Sequence, residues 1–349
     1  MISRDEDAIL YLCRQDVEHL CTKIDSIAVL REVFSLHASR QTILPDEAYL
    51  GWTNVHQENV RSLNMPAYVG GTFDIAGTKV INGNISNPTR GVPRASGMTL
   101  LLDPISARIC AIMEGAYLSS LRTASVTALA VDLLKGDDIQ CLGIIGAGIL
   151  AQAHIELLLR HLHSLETIYI YDTNQQRVVE LGLLLAPLLE AHHVVWQCML
   201  SAEAAIRSAQ LIIPVTTTTT SYIPFVWLQA GAIVVNVSLD DVMPDVILQA
   251  QSVVVDDWFL VRNDTRRLLG RMYHEGKIIG PDDEREPMNG QRKINAQLGE
   301  LVLETKVGRR DRQDIILVNP FGLAIEDVAL AQRVYQKAQE LGVGRKLAH

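Results

Sequence analysis

Gln140-Cys141-Leu142-Gly143-Ile144-Ile145-Gly146-Ala147-Gly148-Ile149-Leu150-Ala151 is the stretch that decides the fold. The apolar run Leu142 to Ile145 suits a strand covered on both faces, as in a parallel sheet, and Ile149 to Leu162 then takes up helical spacing. Gly146 permits a tight turn, Gly148 lets a pyrophosphate approach the backbone, and the small Ala151 allows the helix to pack close to the strand. A glycine fingerprint alone is a weak signal. Here a second strand, Thr167 to Tyr171, follows and ends on Asp172, 26 residues beyond Gly146, against a usual separation of about 20 for the ribose carboxylate. A carboxylate there accepts from the ribose hydroxyls and repels a 2′-phosphate, so the expected cofactor is NAD rather than NADP. The competing reading is an ordinary strand-turn-helix with no ligand.

Working outward, further strands are expected at Val194 to Cys198, Leu211 to Thr216, Ala232 to Val237, Val253 to Asp256 and Ile315 to Val318, with helical segments among them. That alternation predicts a doubly wound parallel sheet. The polar stretch Asn263 to Glu304 is expected to be helical. Upstream, Ser119 to Leu134 reads as a connector helix capped by Ser119 or Ser120. Before it the pattern changes. Arg61 to Asn64, Thr78 to Gly83, Met98 to Leu102 and Ile109 to Met113 read as short strands, separated by Gly70-Gly71, Asn87-Pro88, Gly91-Val92-Pro93 and Asp103-Pro104. Ile9 to Cys13 reads as a strand, and helical spacing recurs from Ile24 through Ile27, Leu30, Val33, Phe34 and His37. Ala324 to Leu341 forms a last amphipathic helix that should pack back on this first region. The expected fold is therefore α/β: a Rossmann doubly wound sheet over residues 119–323, plus an α+β substrate and dimerisation domain over 1–118 with 324–349, and a cleft between the two.

Composition narrows the function classes. The 349 residues are 48% hydrophobic and 20% charged, with a formal net charge of −9 and no basic stripe. Nucleic acid and anionic membrane are poor partners for such a chain, and a small molecule is the better expectation. The acidic start Met1 to Asp7 does not read as a leader peptide, and no apolar run is long enough to span a bilayer, so the expected compartment is the cytoplasm. Cys13, Cys21, Cys110, Cys141 and Cys198 lack paired metal-ligand spacing and read as reduced, mostly buried thiols. The histidines at 161, 163, 192 and 193 have no cysteines nearby, so no metal is assigned.

Several polar residues stand where chemistry could occur. Lys79, on a strand before Asn82-Gly83, could hold a carboxylate or polarise an imine, unless it is a solvated strand lysine. Arg122 reads as lying in the first turn of the connector helix, where a cation is disfavoured unless an anion joins it; the alternative is an inter-domain ion pair with a residue such as Glu114. Asp240 and Asp241 follow an apolar strand at its carboxyl end. One could be a general acid/base, or both could simply cap a helix. The hydroxyls of Thr216 to Thr220 either face a cofactor or finish a strand.

With these pieces placed, the chain resembles the ornithine cyclodeaminase/mu-crystallin family along nearly its whole length. The resemblance rests on Gly77-Thr78-Lys79-Val80-Ile81-Asn82-Gly83, Leu121-Arg122-Thr123-Ala124, Gly146-Ala147-Gly148 and the run Asn319 to Asp327. It implies a β-structured domain that dimerises, giving a homodimer, and a Rossmann domain. It also implies that Lys79 and Arg122 touch a substrate carboxylate, that Asp241 does acid/base work, and that Thr123 and Ala124 line the cofactor site. The full cofactor set is then Thr123, Gly146, Ala147, Gly148, Ile149, Leu150, Asp172, Thr216, Thr217, Ser238 and Gly322. Arg94-Ala95-Ser96-Gly97, Val254 to Trp258, Leu298 to Val302 and Asp314 to Asp327 are similar to the branch that makes L-2,3-diaminopropionate in siderophore and antibiotic pathways. That branch implies NAD-dependent oxidation of a small amino-acid conjugate, with Arg61 and Arg94 as further cations for its acidic groups. Leu63 and Asp245 stand where the cyclodeaminases carry a glutamate and a lysine, which speaks against ornithine cyclisation. Asp46-Glu47 stand where the branch tends to carry a basic residue. Imine reduction or cyclodeamination on the same cofactor, and a non-catalytic nucleotide-binding protein of the mu-crystallin kind, are the other implied readings.

Overall fold

The computed structural model describes residues 8–288 and 290–348; the acidic start Met1 to Asp7, Asn289 and His349 lie outside them. The chain divides into two units, Met1–Arg122 with Leu323–His349, and Thr123–Gly322.

The first unit is built on an eight-stranded sheet. Its order is Arg345–Leu347, Ile9–Leu12, Ile109–Glu114, Ala95–Leu102, Ile75–Asn84, Asn59–Val69 and Thr42–Ile43, with Ala48–Thr53 also pairing to Asn59–Val69. Every pairing is antiparallel except Ile9–Leu12 with Ile109–Glu114. Alternation along Ile75–Asn84 buries Ile75, Gly77 and Lys79 and leaves Ala76, Thr78 and Val80 partly exposed, as a strand with one covered face requires. The helix Ala324–Leu341 covers that face. Its Val328 lies against Gly77, where any Cβ would meet Val328 Cγ2 at 3.2 Å and the Leu100 carbonyl at 2.6 Å. Helix Ser26–Ala38, capped by Asp25 through the Ala28 amide at 3.0 Å, packs beside it. The short helix Arg14–Cys21, the exposed strand Ala48–Thr53 and the short strands Thr42–Ile43 and Arg345–Leu347 have no counterpart in the sequence reading.

The second unit carries an eight-stranded sheet in which every pair is parallel. Its order is Val195–Cys198, Thr167–Tyr171, Cys141–Ile145, Leu211–Pro214, Ile233–Val235, Ile316–Asn319, Ser252–Val255 and Ala296–Gln297. The chain winds outward from Cys141–Ile145 in one direction and returns through Leu211–Pro214 in the other. This doubly wound α/β topology has its switch point between those two strands, where ligands bind in such sheets. The central strands are buried along their whole length.

Three expectations are corrected. The connector helix starts at Ala116, not at Ser119 or Ser120, because the Glu114 carboxylate accepts from the Ala116 and Tyr117 amides at 2.9 Å each; an acidic side chain is a good partner for those free amides. Residues 263–304 are not one helical insert. They hold only the short helices Leu268–His274 and Leu298–Val302 with two-residue strands, since Pro281, Pro287 and left-handed Gly276 and Gly290 interrupt any longer helix. Among the cysteines only Cys21 is buried, and Cys198 is exposed. Among the described residues no helix is long and apolar enough to cross a membrane, and no cluster of three or more histidine, cysteine or acidic side chains could hold a metal.

Candidate functional site

The glycine turn lies at the switch point of the parallel sheet. Gly146 has φ +106°, and a Cβ there would stand 2.9 Å from the Val215 carbonyl, so only glycine fits. A Cβ on Gly148 would meet nothing within 4 Å, leaving open space over the backbone. Gly148 caps helix Ile149–His161 without a side-chain hydrogen bond, so the first-turn amides face outward as an anion site. Asp172 stands directly after Thr167–Tyr171 and accepts from the Ala147 amide at 2.8 Å and the Asn174 amide at 2.7 Å. That contact ties the ribose-type carboxylate to the glycine turn. Ile149, at the helix start, is 63% exposed despite its apolar side chain. An open backbone, free amides and a carboxylate next to them fit a dinucleotide. Behind the loop, buried His154 is held by Thr127 at 2.9 Å and the Leu150 carbonyl at 2.7 Å. Burial pushes it down to about 4, so it packs as a neutral ring.

Asp241 lies deeper in the same unit. Its Oδ1 accepts from Thr216 Oγ1 at 2.7 Å and from Tyr222 Oη at 3.1 Å, while its buried Oδ2 has no hydrogen-bond partner. Burial raises the carboxyl above its ordinary range. The hydroxyls of Ser238, Thr216 and Tyr222 oppose that rise, and the charge of Asp240 adds to it. Helix capping is excluded for this pair, since the next helix, Pro244–Gln249, starts after Met243. Asp240 is paired elsewhere, with Arg267 at 2.8 Å and Arg271 at 3.7 Å. Between Ser238 and Asp240, Leu239 has a left-handed φ of +74°, a costly conformation for a γ-branched residue that fixes where Asp241 emerges. Thr216 does not finish a strand, which ends at Pro214; its hydroxyl faces Asp241 and its amide donates to Ser238 Oγ at 3.1 Å. Thr217 lies beyond that strand end and is exposed. Gly322, φ +91°, donates to Asp256 Oδ2 at 2.6 Å. Asp256, fully buried, is pushed up to about 6 by burial against the pull of three backbone amides. Tyr222 and Asp256 are functional candidates that sequence reading missed, because nothing in their local pattern marks a partner 19 or 66 residues away.

In the first unit, Lys79 is not a solvated lysine. It is 1% exposed, with Nζ 2.6 Å from Asp327 Oδ2 and 3.3 Å from Ser119 Oγ. Burial pushes its ammonium down, and Asp327 pulls against that shift. Arg122 lies in the second turn of its helix, beyond the free amides of the helix N-terminus where the sequence placed it. Its partner is not Glu114, which caps that helix, but Glu326 at 2.9 Å with Asp327 at 3.5 Å. Glu326 and Asp327 occupy the first turn of Ala324–Leu341, where the helix dipole favours carboxylates. Two cations and two carboxylates thus form a buried, charge-balanced group. Arg61 is on the same sheet face, because Met65 pairs with Lys79 and Arg61 pairs with Gly83 in one antiparallel register. Arg94 precedes strand Ala95–Leu102, and its carbonyl accepts from the Asn84 amide at 3.0 Å. Thr123 and Ala124 are buried in the connector helix.

The profile of the Ornithine cyclodeaminase/mu-crystallin family matches residues 12–342. An N-((2S)-2-amino-2-carboxyethyl)-L-glutamate dehydrogenase from Staphylococcus aureus is 32% identical over 97% of this chain and 98% of its own length. Among solved structures, that of CmnK superposes with a TM-score of 0.88 at 32% identity, covering 98% of each chain. An archaeal alanine dehydrogenase dimer with bound NAD superposes with a TM-score of 0.81 at 25% identity, over 97% of this chain and 99% of the other.

Proposed function

The chain belongs to the ornithine cyclodeaminase/mu-crystallin family, and from that premise we propose that it is an NAD-dependent dehydrogenase of N-(2-amino-2-carboxyethyl)-L-glutamate. The reaction consumes the conjugate, NAD and water and yields L-2,3-diaminopropionate, 2-oxoglutarate, NADH and a proton. The observation that carries this reading is Asp241: a buried carboxylate at the carboxyl end of the parallel sheet, one oxygen held by two hydroxyls and the other unpartnered. Oxidising a secondary amine requires a group that takes the amine proton and then serves the hydrolysis of the imine. A carboxyl raised above its ordinary range by burial suits both steps. The substrate class is supported by the full-length relative that acts on this conjugate.

The glycine turn would hold NAD through Gly146, Ala147, Gly148, Ile149 and Leu150, with Asp172 for the ribose hydroxyls and Thr123, Thr216, Thr217, Ser238 and Gly322 lining the site; bound there, NAD would supply the acceptor for the hydride of the glutamate Cα. Asp241 moves the protons, while Thr216 and Tyr222 hold its Oδ1 so that Oδ2 faces the reacting nitrogen. Lys79 and Arg122 orient a substrate carboxylate: Lys79 spends one donor on Asp327 and one on Ser119, leaving its third for an anion. The protein acts as a homodimer through the outer face of the antiparallel sheet, where Val80, Met98, Leu100 and Ile112 are half-buried and Leu50 and Trp52 are 62% and 46% exposed.

The test is incubation with NAD and the synthetic conjugate, following nicotinamide absorbance and both products. Stoichiometric NADH, diaminopropionate and 2-oxoglutarate support the reading. Amino-acid turnover without net NADH points to a cyclodeaminase, and nucleotide binding without turnover points to a binding protein; either result refutes it.

A further inference from the structure

The parallel sheet has two ends, and the glycine turn uses one of them. Gly146 to Gly148 follow Cys141–Ile145, at the carboxyl end of the strands. At the opposite, amino end the second unit has a cavity of about 360 Å³, within the range of roughly 300–1,000 Å³ usual for small-molecule sites. Arg292 fixes its place in the sheet. The Nη2 of that lining residue donates to the carbonyls of Ala250 and Gln251 at 2.8 and 2.9 Å, just before Ser252–Val255, and to Asn295 Oδ1 at 2.8 Å, just before Ala296–Gln297. Four of the lining side chains are cations, Arg292, Lys293, Lys306 and Arg310, and none is a carboxylate, in a chain whose net charge is −9.

The carboxylates around this cavity are committed elsewhere. Asp283 is paired with Arg285 at 2.6 Å, and Asp314 accepts from the Arg310 and Asp311 amides at 3.0 Å each. Glu300 holds the Gln297 amide at 2.7 Å, and its other oxygen is 3.4 Å from Lys306. Asp282 is 3.8 Å from Lys306 with its side chain 71% exposed. Arg292, Lys293 and Arg310 have no ion pair among the described residues. Lys293 gives Nζ only to the Asp283 carbonyl at 2.5 Å, and the buried Nε of Arg292 has no hydrogen-bond partner. Burial pushes the Arg292 guanidinium below its usual range with no carboxylate opposing the shift.

The chemistry of the remaining groups selects the ligand. Gln291 spends Oε1 on the Met288 amide at 3.0 Å and Nε2 on the Gly276 carbonyl at 2.8 Å. Asn295 spends its Oδ1 on the Val253 amide at 2.8 Å as well as on Arg292. The side-chain groups left to face a ligand are therefore donors, and a ligand that only accepts, with several negative charges, matches them. With Nη2 already used on the backbone, Arg292 cannot clasp a planar carboxylate through its Nε and Nη2 fork. Point charges from lysines then dominate, as suits phosphate oxygens.

We propose that this cavity, at the amino end of the parallel sheet and separate from the dinucleotide turn, is a second ligand site that takes an oligophosphate group. Arg292, Lys293 and Lys306 hold it from within, and the exposed Arg310 holds it at the mouth.

The experiment titrates inorganic tripolyphosphate calorimetrically, without divalent cations, into full-length protein saturated with NADH, so that the glycine turn is already filled. Binding should persist under NADH and weaken as salt is raised. Lys293→Gln should lower the affinity about 10-fold, the usual worth of a hydrogen bond to a charged group, and Arg310→Gln about 3-fold, as for a solvent-exposed charge pair. Arg312→Gln removes the same charge two residues further on, from a side chain paired with Asp137 at 3.1 Å, and should change nothing. Arg292 stays in place because it holds two backbone carbonyls, and unchanged NADH affinity shows that each variant is folded. ATP binding tighter than tripolyphosphate assigns the site to a phosphorylated small molecule, and equal or weaker binding assigns it to the free oligophosphate. Absence of binding under NADH, or an affinity unaltered in the Lys293→Gln/Arg310→Gln double variant, overturns the site. Tricarballylate binding as tightly as tripolyphosphate overturns the choice of phosphate.

Discussion

Replacing Lys79 with methionine removes a buried cation whose side chain is 2% exposed and whose partner, Asp327, is fully enclosed. The charge-balanced group would then carry one uncompensated negative charge, because Arg122 is already engaged by Glu326 at 2.9 Å and lies 3.5 Å from Asp327. Breaking a buried pair from one side costs about 3–5 kcal/mol. Asp327→Asn leaves a surplus positive charge and should cost about as much. The double variant Lys79→Met/Asp327→Asn restores neutrality around the surviving Arg122–Glu326 pair. Its cost should therefore fall below the sum of the single costs by at least about 2 kcal/mol. Differential scanning calorimetry is the suitable assay, since the two units need not melt together. Costs below about 1 kcal/mol for the single variants, or additive costs in the double, would refute the claim that Lys79 and Asp327 are a coupled buried pair.

Asp241→Asn should keep the fold and bind NAD but lose turnover about 10²- to 10⁴-fold, while Asp240→Asn, whose side chain is committed to Arg267, should lose far less; equal losses would move the base elsewhere. Asp172→Ser should relax the preference for NAD over NADP, measured as the ratio of kcat/KM values; a parent that already prefers NADP sinks the ribose assignment. Asp256 has its folded carboxyl raised to about 6, so its contribution to stability is complete below the unfolded value of about 4 and is lost as pH rises through 6. The advantage of the parent over Asp256→Asn in thermal melts should accordingly shrink across that window, by up to about 3 kcal/mol; a constant difference would mean that Asp256 does not titrate there.

The sequence by itself determined what depends on neighbours in the chain. The strand, turn and helix around Gly146 need only local periodicity and the freedom of glycine, and Thr167–Tyr171 and Ala324–Leu341 were legible to the residue from their apolar spacing. The order of strands and helices then implied the parallel sheet. What tertiary structure decided was the state of the polar residues. Lys79 reads as an ordinary strand lysine until a partner 248 residues away covers it. The start of the connector helix moved because the Glu114 side chain, outside the apolar pattern, satisfies two free amides. The strand Ala48–Thr53 was invisible because it is exposed throughout and has no buried face to set a period. The hydrogen-bonded state of Asp241 comes from Thr216 and Tyr222, brought to it by the parallel register and a left-handed turn at Leu239. Secondary structure follows from side chains a few residues apart, whereas the charge and proton affinity of a buried group follow from whichever distant groups the fold places around it, and no local pattern records them.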